Sequence, residues 1–130
     1  MANPNIVNVT TIYGTTTYFT PSGTTAVVLL ANAAASGKVY KINQIVAANV
    51  TGTAANATVS IYTNGAVAQG SAPSGGTAFP IISAVAVPAN ASLIAVDKTT
   101  AIYLQEGTSI VVTSSTASGI TYSISYEDIS

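Results

Sequence analysis

The sequence contains no cysteine, histidine, tryptophan or arginine. Without cysteine, no disulfide can stabilise the fold, and cysteine usage indicates no redox compartment. Without histidine and cysteine, the common nucleophilic triads and dyads and the usual zinc sites are excluded. The glycine-rich phosphate-binding and nucleophile-elbow motifs do not occur either. We therefore expect a protein that is not an enzyme and uses no cofactor or metal.

Charged residues are also scarce, at 5% of the chain against about 25% in an average globular protein. Three lysines and four carboxylates leave a net charge of −1, too few cations to neutralise a nucleic-acid backbone. The first residues, MANPNIVNV, do not resemble a signal peptide, and the longest apolar stretch, Ala26 to Ala35, is far shorter than a membrane span. We expect synthesis in the cytoplasm, no nucleic-acid partner and no membrane insertion.

What the chain does contain is alternation of apolar and polar residues rich in Val, Ile, Thr and Tyr, which is typical of half-buried strands. The clearest segments are Ala57–Thr63, Ala101–Gln105, Ser109–Thr113 and Ile120–Tyr126. Less regular strands are expected at Asn5–Ile12, Thr25–Ala31, Val39–Asn49, Phe79–Val87 and Ser92–Val96. Eight or nine short strands predict an all-β, antiparallel, jelly-roll-like β-sandwich.

Two dipeptides predict tight hairpins, Asn64-Gly65 and Glu106-Gly107, each between alternating runs. Gln69–Thr77 contains three glycines and a proline and is expected to be an exposed loop. Residues 22–130 are predicted to form one sandwich domain. Residues 1–21 have two interpretations: edge strands of that sandwich, or an extended N-terminal arm that adds a strand to a neighbouring molecule.

The charged residues offer little chemistry. The four carboxylates, Asp97, Glu106, Glu127 and Asp128, are expected in turns or next to each other at the C-terminus, where a glycosidase pair could not form. Lys41 is predicted in mid-strand. It is interpreted as an exposed strand lysine that discourages aggregation at a sheet edge, or as one half of a salt bridge between subunits with one of the four carboxylates.

A β-rich protein with so few charges lacks the usual protection against edge-to-edge association, so its surface is expected to be buried in an assembly. Tyrosine is favoured at such interfaces. The candidate interface residues are Ile6, Val7, Val9, Ile12, Tyr13, Tyr18, Phe19, Lys41, Tyr62 and Tyr103.

Three segments, MANPNIVNV, VPANASLIAVDKTTAIYLQEGTSIVV and YSISYEDIS, resemble small virion proteins of tailed bacteriophages, especially those that infect marine cyanobacteria. The resemblance implies a virion structural protein, most often a decoration (cement) protein on the capsid exterior. Its expected partners are further copies of itself, as in a trimer, and the major capsid protein or another virion protein. In that interpretation the chain is made in the host cytoplasm and residues 1–19 are the anchoring arm.

The resemblance extends equally to neck, tail and fibre proteins, so these remain the alternative. A receptor- or carbohydrate-binding module at a fibre tip belongs to that alternative. Its candidate contacts are Tyr62 with Asn64 and Tyr103 with Glu106, where an aromatic ring lies close in sequence to an amide or a carboxylate.

Overall fold

The computed structural model describes residues 7–130, and these form nine β-strands and one short 3₁₀ helix at Lys98–Thr100. The first five strands are β1 (Ile12–Phe19), β2 (Val27–Asn32), β3 (Val39–Asn49), β4 (Ala55–Tyr62) and β5 (Ala78–Val87). The last four are β6 (Ser92–Val96), β7 (Ile102–Leu104), β8 (Thr108–Ser114) and β9 (Ile120–Ile129).

The strands form two sheets in which every pairing is antiparallel. The first sheet has the order β1-β9-β3-β6, with β7 beside β6 on the same side of β3, and the second has the order β2-β8-β4-β5. The pairs are nested along the chain: β1 with β9, β2 with β8, β3 with β6 and β7, and β4 with β5. Successive pairs alternate between the sheets, which is the connectivity of a jelly roll.

The inner faces of the two sheets form one apolar core. Cross-strand neighbours Ile45 and Ile124 are fully buried on the first sheet, as are Val59 and Val112 on the second. Such alternation of buried and exposed positions is what two packed antiparallel sheets require. The predicted all-β antiparallel sandwich is therefore confirmed.

Two buried asparagines connect the sheets, and no pattern in the sequence distinguishes them from the other asparagines. Asn32, the last residue of β2, donates from Nδ2 to the carbonyl oxygen of Leu104 in the first sheet at 3.0 Å. Asn49, the last residue of β3, donates from Nδ2 to the carbonyl oxygen of Val87 in the second sheet at 3.0 Å. A buried polar group is tolerated only when it is hydrogen-bonded, and here the bonds also join strand ends across the core.

The strand predictions for β2 to β9 are confirmed with small shifts in their ends, and those for β3 and β6 match at both ends. Both predicted hairpin turns are wrong. The connection from β4 to β5 runs through residues 63–77, and neither Asn64 nor Gly65 has the positive φ of a primed turn. Glu106-Gly107 joins strands of different sheets, because β7 pairs with β3 and β8 with β2 and β4. Alternation identifies strands but does not say which strands pair.

The N-terminal segment lies partly within the sandwich. The strand predicted at Asn5–Ile12 is wrong for residues 7–11, and β1 instead covers Ile12–Phe19 as an edge strand of the first sheet. The backbone N–H groups of Thr10 and Thr11 both donate to the carbonyl oxygen of Ser130. Residues 1–6, including the candidate interface residue Ile6, lie outside the described residues.

Burial raises the pKa of Tyr122 to about 12, and it also raises the pKa values of Tyr40 and Tyr126. The hydrogen bond and charge of Asp128 raise the pKa of Lys38, whose Nζ lies 3.1 Å from the carboxylate. In all four cases the folded state favours the protonated form. Each contribution to stability is therefore complete below the pKa of the group in the unfolded chain and falls as pH rises above it, which for Tyr122 means from pH 10 towards pH 12.

We predict that Tyr122→Phe changes the alkaline limb of the stability curve. At pH 7 the variant should be less stable by about 1 to 3 kcal/mol, because the Tyr122 hydroxyl donates to the carbonyl oxygen of Thr113 at 2.6 Å. Between pH 10 and 12 the difference should shrink by roughly 2 kcal/mol, since phenylalanine has no proton to lose. Urea unfolding at a series of pH values measures both effects. Parallel curves for the two proteins would contradict the prediction.

Candidate interaction surface

The outer face of the first sheet is built from residues that alternate with the core positions. In β1 and β9, Ile12 is paired with Ile129, Gly14 with Glu127 and Tyr18 with Ser123. The rows continue across β3, where Glu127 is paired with Lys41 and Ser123 with Val46. They end on β7 and β6, where Lys41 is paired with Tyr103 and Val46 with Ile94. Paired residues project from the same face of a sheet, so these rows lie side by side.

Large apolar side chains project from both borders of this face. Tyr18 is 71% exposed, Ile94 56%, Ile12 53% and Tyr103 50%, and Val46 between the borders is partly exposed. We name the set Ile12, Tyr18, Val46, Ile94 and Tyr103 the outer-face patch. Single exposed apolar residues are ordinary, but several on one sheet face indicate a contact surface.

The charges on this face balance each other. Lys41 lies on the central strand β3, with Glu127 as its cross-strand neighbour on β9. The Glu127 carboxylate also accepts a hydrogen bond from Asn43 Nδ2 at 3.0 Å. Lys41 is therefore not an edge lysine, as one interpretation supposed. It lies in the middle of a face whose paired rows carry no net charge.

Part of the corresponding face of the second sheet is covered by the chain itself. Val28, Tyr62 and Val111 are buried there, with Val67 of the β4–β5 connection packed against them. The same connection bonds to strand β2: Gly70 N–H donates to the Val28 carbonyl oxygen at 2.8 Å, and Val28 N–H donates to the Ser71 carbonyl oxygen at 2.9 Å. We name residues 63–77 the covering loop. The predicted exposed loop at Gln69–Thr77 is confirmed, since these residues form no strand and most of them are exposed, and part of the loop is also bonded to a sheet edge.

Gly65 allows the covering loop to lie close against the backbone of β2 and β8. A Cβ atom at this position would overlap the carbonyl oxygen of Asn32 and would lie 2.7 Å from the carbonyl oxygen of Thr108. Both oxygens belong to backbone at strand positions and cannot move away cheaply. The glycine that suggested a hairpin turn is thus needed for a close backbone approach.

Some of the candidate interface residues are exposed in the structure and others are buried. Tyr18 and Tyr103 are exposed on the outer-face patch, and Tyr13 is 63% exposed near the start of β1. Phe19 faces inward against the core, and Tyr62 is only 8% exposed, with its hydroxyl accepting the Gly76 N–H. Of the residues before β1, Val7 is 92% exposed and Val9 partly buried.

The two candidate carbohydrate contacts use their polar groups internally. Asn64 donates from Nδ2 to the Ser74 carbonyl oxygen at 2.7 Å and accepts the Ala66 N–H on Oδ1 at 3.1 Å. Glu106 accepts the Gly37 N–H on Oε2 at 2.9 Å. These bonds order the covering loop and the connection before β3, so neither group is presented as a ligand contact.

A cleft of about 270 Å³ lies between the sheets, beside β1 and the covering loop. Gln69 reaches across it, donating from Nε2 to Thr17 Oγ1 at 3.1 Å and to the Leu29 carbonyl oxygen at 2.9 Å. The remaining walls are mainly apolar, from Leu29, Leu30, Ala31 and Ala68 together with Tyr126. Gln69 thus serves to connect β1 with β2.

Residues 7–130 contain no group of three or more carboxylates, histidines or cysteines arranged to hold a metal ion. The same part of the chain has no helix long and apolar enough to cross a membrane. No family model matches the chain, and neither the curated proteins nor the solved structures compared with it give a match.

We predict that Gly65→Ala lifts the covering loop from the second sheet. Overpacking against backbone costs about 1 to 3 kcal/mol, and it should expose the apolar face around Val28 and Val111. Unfolding by urea and binding of a hydrophobic dye measure the two effects. Gly23→Ala is the matched control, because a Cβ atom there meets nothing within 4 Å. Equal behaviour of the two variants would contradict the role given to Gly65.

Proposed function

We propose that this chain is a non-enzymatic structural subunit of a tailed-bacteriophage particle: a decoration protein that attaches to the outside of the head. Copies of the chain and the major capsid protein are the proposed partners. The virion assignment rests on the resemblance of the sequence. The outer-face patch is the observation that carries a role in assembly, since four of its large apolar side chains are at least half exposed, while the apolar residues Val28 and Val111 on the other sheet lie under the chain's own loop.

The energetics of the patch suit attachment to a protein surface. Burying one large apolar side chain contributes about 1.5 to 3 kcal/mol, and four side chains of the outer-face patch are at least half exposed. The opposite charges of Lys41 and Glu127, adjacent across β3 and β9, avoid a net charge that a partner would have to neutralise. A rigid sheet also loses little conformational freedom when it is covered, which lowers the cost of binding.

The first test is to image purified particles of the virus that encodes the chain at near-atomic resolution. We expect density for the sandwich in a regular array on the head, with the outer-face patch against the capsid protein. Density confined to the neck, tail or fibres would overturn the decoration role in favour of the alternative. Absence of the chain from the particle would overturn the virion proposal itself.

A substitution tests the surface separately. We predict that Ile94→Lys weakens attachment by about 10- to 100-fold, because it places a charge in an apolar contact. Attachment is measured by adding purified protein to particles that lack it. Asn56→Lys is the matched control, since it adds the same charge at an exposed outward position on the second sheet. Equal attachment of Ile94→Lys and the control would show that another surface binds the particle.

A further inference from the structure

Strand β1 presents a regular edge at the border of the first sheet. It pairs with β9 over all eight of its residues without a register shift, and it stands at the end of the strand order. Among residues 7–130, no strand pairs with its other side. An edge strand of this length offers a row of backbone groups to another strand.

The register identifies which backbone groups point outward. Thr11 and Ser130 exchange both N–H to carbonyl bonds, each at 3.0 Å, so the Thr11 backbone groups point towards β9. Bonding direction alternates along an antiparallel strand. The N–H and carbonyl groups of the even-numbered residues therefore point away from the sheet. In β1 these residues are Ile12, Gly14, Thr16 and Tyr18.

The other sheet edges are blocked. The covering loop bonds to β2 through Gly70 and Ser71. Strand β5 contains Pro80, two register shifts against β4, and Ala84 at a φ of 49°. Strands β6 and β7 are five and three residues long and are separated by a turn that carries Asp97 and Lys98. Proline, bulges, charges and short strands all prevent edge pairing, and β1 has none of these features.

We propose that β1 pairs with β1 of a second copy of this chain, antiparallel about a two-fold axis at Thr15. This register sets Ile12 opposite Tyr18 and Gly14 opposite Thr16 of the other copy. All four outward residues of each strand then exchange hydrogen bonds with the partner. Axes at Gly14 or Thr16 would leave Tyr18 or Ile12 opposite a residue outside β1.

The side chains favour the same register, with β1 of a second copy as the partner strand. Ile12 and Tyr18 are both exposed on the outer face, and a β-branched residue opposite an aromatic one stabilises a strand pair. The strand IYGTTTYF carries no charge, so two copies do not repel each other. A strand edge bonds to one other edge only, so this contact closes a dimer and does not generate the trimer expected from the resemblance.

The pairing would join the first sheets of two copies into one continuous sheet, with two outer-face patches on the same side. It rests on the proposed structural role, because it supplies the contact between copies in an assembly. It is tested on the free chain in solution, however, whereas attachment is tested on particles. If the chain does not dimerise in solution, its attachment to particles can still be measured, and the reverse also holds.

The first experiment measures mass in solution by light scattering. The chain should have twice its mass of 12.9 kDa, and Thr16→Pro should lose the dimer because its outward N–H is removed. Thr16→Ala is the matched control: it also loses the hydroxyl contact with Ser125, at 3.0 Å, but keeps the N–H and should stay dimeric. Proline is tolerated at an edge where the N–H faces solvent, and circular dichroism checks that the variant remains folded. A monomeric wild type, or a dimeric folded Thr16→Pro, would overturn the proposal.

A cysteine cross-link tests the register and does not depend on the proline variant. At the axis, two copies of residue 15 form a non-hydrogen-bonded pair with Cα atoms about 4.5 Å apart, which suits a disulfide. Thr15→Cys should therefore oxidise to a covalent dimer, and the chain has no other cysteine to interfere. In Tyr13→Cys the equivalent atoms would be about 14 Å apart, so that variant should stay uncross-linked. Equal cross-linking of both variants, or of neither, would overturn the register.

Discussion

The structure depends on how the unpaired backbone groups at its sheet edges are protected. Two open sheets have four borders, and each border strand carries backbone groups that need a hydrogen-bonding partner. Many proteins place lysines there, but this chain has only three cations in 130 residues. It uses backbone devices instead: a loop bonded along β2, a proline and bulges in β5, and a short interrupted border at β6 and β7.

The same scarcity of charge explains how the interior is connected. Neutral side chains perform the role that ion pairs have elsewhere, with Asn32 and Asn49 joining strand ends of opposite sheets. On the surface, hydroxyl pairs such as Thr16 with Ser125 and Thr20 with Thr121 link β1 and its continuation to β9. Neutral hydrogen bonds carry a smaller desolvation cost than charges, so they suit a thin sandwich whose side chains lie close to both core and solvent.

The two outer faces differ because the connection between β4 and β5 is long. A tight turn at Asn64-Gly65 would have left both faces open. The 15 residues from 63 to 77 instead bury Val28 and Val111, whereas on the first sheet Val39 and Ile129 are buried but Tyr18 and Ile94 stay exposed. The position of the outer-face patch is thus a consequence of where one loop lies, and this asymmetry underlies the proposed attachment.

Strand positions and the sandwich class could be predicted from the sequence, because the alternation of apolar and polar residues is a local property. The short strand at Ser92–Val96 and the long one at Val39–Asn49 were located at both ends. Of the candidate interface, exposure of Tyr18 and Tyr103 agreed with the expectation, while Tyr62 lies beneath the covering loop and Ile6 is outside the described residues.

The sequence alone decides which segments become strands and which side-chain types are available. The chain has no histidine or cysteine in any fold, and period-two segments form strands in any sheet arrangement. Tertiary contacts determine that Glu106-Gly107 crosses between sheets, that Gly65 lies against backbone, and that no other strand among residues 7–130 pairs with the outer edge of β1. These features depend on contacts between residues far apart in sequence, and alternation contains no information about which strands become neighbours.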